Sequence, residues 1–380
     1  MRWIIVGVLL LAAAAAFLVA PAAMNAANTA ALTKLANGDA RGAAKALDSL
    51  AWFGHRDAIN NLGVIRSRGL DGMRDPEMAV ALFERAEEKG HLVAGYNLAR
   101  LAENKHDTPM ADVAVTLARL EPLVQQGDPH AAALMARHLY FNNRGELVNR
   151  IEERRLGLYE QAAAAGDPVY TYLYARQLWD THNPDDTAGM TRAVETMLRA
   201  AEAGEPRAML HLGDMFRQSR RTFKDTFEGG YPGGDQFHWW NLASEAGEPA
   251  ATCRYAVNFF RDISRRDTPL PEHRGALDTA DAQTRQALGH VQSCADAEKR
   301  ARRGNPVFGV PALYLGRYSG GFESSRSSIA SAQMIQGLLL LEGRLMPRDA
   351  DLGRAYLARA AERNTRAKAA LRAADGFRPE

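Results

Sequence analysis

Cysteine is nearly absent from this chain: two residues in 380, Cys253 and Cys294. That excludes a disulfide-dense scaffold and any cysteine-based zinc module, and leaves room for one bridge. Neither sign of charge is in excess, with 47 Lys and Arg against 45 Asp and Glu. The chain therefore lacks the electrostatic footprint that phosphate-backbone binding needs, and nucleic acid is not an expected partner. Catalytic signatures are missing as well. There is no Gly-x4-Gly-Lys-Ser/Thr loop, Gly-x-Ser-x-Gly elbow, Ser-x2-Lys pair or His-Glu-x2-His helix, so no enzymatic activity is expected. His130 and His138, eight apart, have no acidic or cysteine partner at ligand spacing, so no metal and no cofactor is expected either. What remains is a chain 46% hydrophobic and 24% charged, which excludes wholesale disorder and a polytopic membrane protein. Its length calls for several domains or a repeat array.

One long apolar run is present. Met1 and Arg2 precede eighteen uncharged residues, Trp3 to Ala20, and the next ionisable side chain is Lys34. A single cation ahead of the run keeps that end in the cytoplasm and sends the remainder across the membrane. Residues 1–27 are read as a signal peptide or an amino-terminal membrane anchor. The run is long for the first, while Ala20-Pro21-Ala22 suits a peptidase. Absence of a nearby cysteine excludes a lipoprotein. The expected location is periplasmic or otherwise extracytoplasmic, with possible inner-membrane attachment through residues 3–20.

Beyond the run the chain repeats itself. Glycine ends a helical pattern at Gly54, Gly90, Gly127, Gly166, Gly204 and Gly247, in steps of 36, 37, 39, 38 and 43 residues. Each step holds two helices. Between Ala58 and Gly90, Ala79, Phe83 and Ala86 share one face at helical spacing. Asp75-Pro76 opens that second helix as an N-cap with proline in the first turn. The joints repeat this chemistry at Gly127-Asp128-Pro129, Gly166-Asp167-Pro168, Gly204-Glu205-Pro206, Gly247-Glu248-Pro249 and Gly304-Asn305-Pro306. Nine residues after each terminal glycine stands a small residue, preceded by the bulky Leu62, Leu98, Met135, Tyr174, Leu212 or Tyr255. These predict knobs packed between successive helix pairs.

The pattern Ala58, Leu62, Gly63, Gly69, Asp75, Ala79, Phe83, Ala86, Gly90, and again Ala332, Gly337, Gly343, Asp349, Leu357, Ala360, Ala361, Asn364, resembles the Sel-one-like repeat, a relative of the tetratricopeptide repeat. The resemblance runs from about residue 54 to 364. Ala99, Ala136, Ala175 and Ala256 depart from it where the family has its first glycine. It implies an all-α fold, a right-handed α-solenoid of antiparallel helix pairs. The division expected is 28–303 for the repeat array, 304–328 for an irregular insertion, and 329–380 for a C-terminal repeat and capping helix. Such repeats serve as protein-binding adaptors, so the resemblance implies an interaction module gripping an envelope protein on its concave face. The alternative is a cell-wall-associated protein that binds or hydrolyses peptidoglycan or another envelope glycan.

Repeat phase also nominates a binding face. Positions seven, ten and fourteen after each terminal glycine share one side of each first helix, the concave side in related solenoids. They give Asn61, Arg68, Asn97, Arg100, Asn104, Arg137, Arg176 with Asp180, His211, Asp214, Gln218, Arg254 and Arg261. Arg100, Arg137 and Arg176 fill one slot in three successive repeats, a line suited to carboxylates. Two stretches break the period. Between Phe216 and His238 a glycine-rich loop carries Phe223, Phe227 and Tyr231, which either contact a partner or cover the adjoining helices. From Gly247 to Gly304 is 57 residues, read as a degenerate repeat or an insertion dividing the array. Cys253 and Cys294 lie in predicted helices of that enlarged repeat. A bridge there would contribute about 3 to 4 kcal/mol, the alternative being two buried thiols.

Overall fold

The structure is a computed structural model that describes residues 21–102, 113–141, 148–181, 186–218, 236–265, 282–296, 309, 312–315, 326–343 and 345–376. All the regular elements among them are α-helices, and the chain folds as an all-α solenoid of helix pairs. It forms two compact units: residues 1–165 with 304–319, and residues 166–303 with 320–380.

Unit 1 contains α1 (21–36), α2 (Ala40–Trp52), α3 (Arg56–Arg68), α4 (Pro76–Glu88), α5 (Leu92–Ala102), α6 (Val113–Gln125), α7 (Pro129–Phe141) and α8 (Val148–Ala163). Unit 2 contains α9 (Pro168–Thr181), α10 (Thr187–Glu202), α11 (Pro206–Gln218), α12 (Gln236–Glu245), α13 (Pro249–Arg265), α14 (Ala282–Ala295), α15 (Arg326–Glu342), α16 (Ala350–Ala361) and α17 (Thr365–Gly376). Within each unit the helices pack chiefly on their sequence neighbours, the arrangement that lets each pair cover the apolar face of the last.

The helix boundaries follow from local chemistry. All six block-ending glycines take positive φ, between 75° and 89°, a conformation that a Cβ would strain. The next residue then caps the following helix, a histidine after Gly54 and Gly90 and an acid after Gly127, Gly166, Gly204 and Gly247. Asp128 Oδ1 accepts from the Ala131 amide at 2.8 Å, and Asp75 Oδ1 does the same for Met78 at 2.9 Å. Proline at the first helical position has no N–H to leave unsatisfied there. All six bulky residues of the repeat phase are buried, as are the small residues beside them. Gly63 shows why that slot is small: a Cβ there would lie 2.7 Å from the ring of buried Phe83.

The long break holds the helix pair α13 and α14, joined by a disulfide between Cys253 and Cys294. The bridge sits in an apolar cluster with Ala332, Leu340 and Tyr356 of α15 and α16, so the irregular pair is tied together where it packs on the C-terminal repeat. The chain passes from one unit to the other at Ala165 and Gly166, at Arg303 and Gly304, and at Ser319 and Gly320. No helix among the described residues is long and apolar enough to cross a membrane.

Candidate functional site

The first helices of the unit 1 repeats carry asparagines where an apolar interior would be expected. Asn60 and Asn61 on α3, Asn97 on α5 and Asn28 on α1 are all fully buried, at 0% exposure. A buried amide is tolerated only when its donor and acceptor both find partners. Here the partner is a piece of the chain's own backbone, more than 200 residues away in sequence.

Residues 312–315 lie against these asparagines. The Leu313 amide donates to Asn61 Oδ1 at 2.6 Å, and the Leu313 carbonyl accepts from Asn60 Nδ2 at 2.9 Å and Asn97 Nδ2 at 3.0 Å. The Leu315 amide donates to Asn97 Oδ1 at 2.8 Å, and the Leu315 carbonyl accepts from the Arg68 guanidinium. Every main-chain polar group of both leucines is therefore held by a side chain. The amides are themselves cross-tied: Asn97 Nδ2 donates to Asn60 Oδ1 at 2.8 Å, and Asn61 Nδ2 to Asn28 Oδ1 at 3.0 Å.

Side chains of the held segment alternate, as in an extended strand. Leu313 and Leu315 are 5% and 2% exposed and join the apolar core of unit 1 with Ile59, Leu62, Leu98 and Leu101. Tyr314 goes elsewhere. Its ring meets Tyr96 edge-on at 5.0 Å and His130 at 5.2 Å, and its hydroxyl donates to Asp128 Oδ2 at 2.7 Å. Burial and the Asp128 carboxylate push the phenol well above its usual pKa, so it stays a donor. Asp128 thus caps α7 with one oxygen and holds Tyr314 with the other. Beside the ring opens a cleft of about 580 Å3, lined by Arg56, Asp57, His91, Gln126, Asp128 and Tyr314 among others. In that cleft the His91 ring accepts the Ala94 amide on Nδ1, which leaves Nε2 to donate to Asp57 at 3.3 Å. This hydrogen bond holds the Asp57 carboxyl below its ordinary range.

Unit 2 presents a charged face. Arg176 meets Asp180 at 3.5 Å, Arg254 meets Asp214 at 3.4 Å, and Arg207 meets Glu205 at 2.5 Å while lying over the Tyr172 ring. Burial pushes His211 down to about 3, and neighbouring Arg176 adds to the effect, so the imidazole facing the Tyr172 hydroxyl at 3.4 Å is neutral. Burial also raises the pKa of Asp214, against the pull of Arg254 and Arg217. The arginines on this face already have carboxylate partners.

Of the positions nominated by repeat phase, Asn61, Arg68 and Asn97 converge on one segment, while His211, Asp214, Arg254 and Arg176 share the face of unit 2. Arg100 and Arg137 lie on α5 and α7 of unit 1, both partly buried, and Arg261 is an exposed residue of α13. Phe223, Phe227 and Tyr231 lie outside the described residues, as do Asn104 and the side chain of Gln218. Asn60 and Asn28 were not singled out by phase, although an Asn60-Asn61 doublet inside an apolar helix is an unusual pattern. Within the stretch 304–328, expected as an irregular insertion, residues 312–315 supply the backbone that fills the groove, and its last three residues already belong to α15. Among the described residues no group of three or more His, Cys, Asp or Glu could hold a metal ion.

Residues 56–91 and 330–365 match the Sel1 repeat family. The crystal structure of a Sel1 repeat protein from Oxalobacter formigenes aligns over 90% of this chain and 89% of its own, with a TM-score of 0.54 at 18% identity. That of c5321, a protective antigen of uropathogenic Escherichia coli strains with the same repeat fold, aligns over 92% of this chain and 71% of its own, with a TM-score of 0.50 at 16% identity. No curated protein matches the chain.

Proposed function

Because the chain carries Sel1 repeats and has the fold of Sel1-repeat proteins, we propose that it is a non-enzymatic interaction scaffold that binds a partner protein on the inner face of its repeats. Sel1-repeat proteins generally mediate protein–protein interaction. The observation that carries the reading is the asparagine groove of unit 1, whose side chains are spaced to satisfy the main chain of a polypeptide. Catalysis would need a nucleophile, acid–base pair or bound group aimed at a substrate, and in the cleft of unit 1 the His91 ring that meets Asp57 is committed on its other nitrogen to the Ala94 amide at the start of α5.

The scaffold works outside the cytoplasm, on this reading, and close to a membrane. The uncharged run Trp3–Ala20 leads straight into α1. The partner helix α2 returns to the level where α1 begins, as the 2.8 Å bond between His55 Nε2 and Asn25 Oδ1 requires. It ends there in Trp52 and Phe53, 79% and 73% exposed and edge-on at 5.4 Å. Tryptophan favours the membrane–water boundary, and exposed Trp52 at that level supports a tethered form. Crosslinking of intact envelopes followed by mass spectrometry tests the scaffold, expecting a specific envelope protein attached to the full chain. A catch no different from an unrelated envelope protein of equal abundance refutes it. Amino-terminal sequencing tests the tether: Met1 retained in the membrane fraction supports it, and a start near residue 22 rejects it.

A further inference from the structure

We propose that residues 312–315 are a resident stand-in for the scaffold's ligand: unit 1 binds an extended peptide carrying an aliphatic–tyrosine–aliphatic sequence, which competes with this segment for the asparagine groove. The inference rests on the interaction reading above and names the class of partner.

Three features of the groove carry it. Asn60, Asn61, Asn97 and Arg68 touch Leu313 and Leu315 through main-chain atoms, which any extended peptide presents in the same geometry. Selectivity comes from the alternating side chains. Two aliphatic groups two residues apart enter the core of unit 1, and the residue between them is read by the Tyr96 and His130 rings and by the second oxygen of Asp128. A smaller or non-hydroxylated residue there leaves that oxygen without its donor. The cleft of about 580 Å3 beside Tyr314 stays open while the segment is seated, so an incoming peptide has surface to occupy before the resident backbone leaves.

The segment is far in sequence from the helices whose groove it fills. The chain departs from unit 2 after residue 303, contributes 304–319 to unit 1 and rejoins unit 2 at 320. The helices α3, α5 and α7 take their amino-terminal caps from His55, His91 and Asp128 rather than from the segment.

The test uses the full chain and a fluorescein-labelled peptide of residues 309–317, Gly-Val-Pro-Ala-Leu-Tyr-Leu-Gly-Arg, read by fluorescence anisotropy. The variant Leu313→Ser with Leu315→Ser vacates the groove and is expected to bind the peptide at least tenfold more tightly than wild type. Adding Asn61→Ala and Asn97→Ala is expected to abolish that gain, and a peptide with alanine in place of the tyrosine to bind about tenfold more weakly. A vacated variant with unchanged far-ultraviolet circular dichroism that binds no better than wild type overturns the proposal. Hydrogen exchange on wild type decides independently of that variant's folding: excess peptide accelerates exchange at the Leu313 and Leu315 amides if the proposal holds, and unchanged exchange overturns it. A concentration-dependent dimer that is lost in the vacated variant assigns the groove to a second copy instead, and also overturns it. Envelope crosslinks made through another face survive any of these failures, so the scaffold reading and the ligand reading fail separately.

Discussion

Asn97→Ala is the most informative single change in unit 1. Asn97 is fully buried and makes three hydrogen bonds: it donates to Asn60 Oδ1 and the Leu313 carbonyl, and accepts from the Leu315 amide. The Leu313 carbonyl keeps its bond from Asn60, so it is not orphaned. The Leu315 amide and Asn60 Oδ1 are. Each stranded buried group costs about 1 to 3 kcal/mol, and relaxation toward water keeps the sum near the lower end, about 3 kcal/mol. Global unfolding is a poor readout, because a chain of two units need not unfold in one step. Hydrogen exchange at the Leu315 amide reports the same quantity locally. At about 1.4 kcal/mol per factor of ten, its protection is expected to fall by roughly a hundredfold. Asn25→Ala, which removes an exposed bond to His55 on the same unit, leaves it unchanged. Equal protection of Leu315 in wild type and Asn97→Ala refutes the claim that side-chain amides, rather than leucine burial alone, hold the segment.

Three further outcomes follow from unit-specific features. Replacing Cys253 and Cys294 together by serine opens a loop with a sequence separation of 41 and costs about 4 kcal/mol by chain entropy; non-reducing thiol titration of the unfolded wild type finds none, and chemical denaturation reads the loss from unit 2. His211 titrates near 3 when folded, against an ordinary 6.5, so the unfolded chain takes up a proton that the folded one refuses. Stability is then complete above pH 6.5 and falls with pH by about 1.4 kcal/mol per unit inside that window; His211→Gln reduces the slope in unit 2, where His290, also lowered by burial, keeps part of it, while His138, pushed by burial to about 4, keeps the slope in unit 1. Gly63→Ala drives a methyl group against Phe83 and costs about 1 to 3 kcal/mol, seen as a lowered denaturation midpoint of unit 1, whereas Gly157→Ala on α8, where a Cβ meets nothing within 4 Å, does not destabilise.

The hairpin array was readable from the sequence because every device that sets it is local. A glycine in the left-handed region stops one helix, an acid and a proline start the next within two residues at four of the six joints, and the small residue nine positions on sits, at Gly63 and Gly213, where a neighbour's ring or backbone approaches. Local signals repeat, so phase finds them. The groove is different in kind. Asn97 and the Leu315 amide are 218 positions apart, and no period connects them. Repeat phase could place Asn61 and Asn97 on the inner side of their helices, but it represented that side as solvated, since an amide there is at home in water. The arginine slot misleads for the same reason. Arg176 and Asp180, four apart on one helix, could have been paired from the sequence, whereas Arg254 and Asp214 meet across two helices.

One sequence signal did distinguish the groove from an ordinary polar face. Asn60 and Asn61 are adjacent in a helix whose neighbours Ile59, Leu62, Val64 and Ile65 are all core residues. Adjacent helical positions lie about 100° apart, so two consecutive amides inside an apolar stretch cannot both face solvent without one displacing the core. Such a doublet needs a partner that brings both donors and acceptors into the interior, and backbone in extended form is the cheapest supply of both. Lysine or glutamate at the same positions would carry no such implication, because their long stems let the charge reach water. Short amides on the inner helices of unit 1 therefore mark where a polypeptide lies, whereas the repeat position of Asn61 and Asn97 holds Leu173, His211 and Arg254 in unit 2, where Arg254 pairs with Asp214 instead.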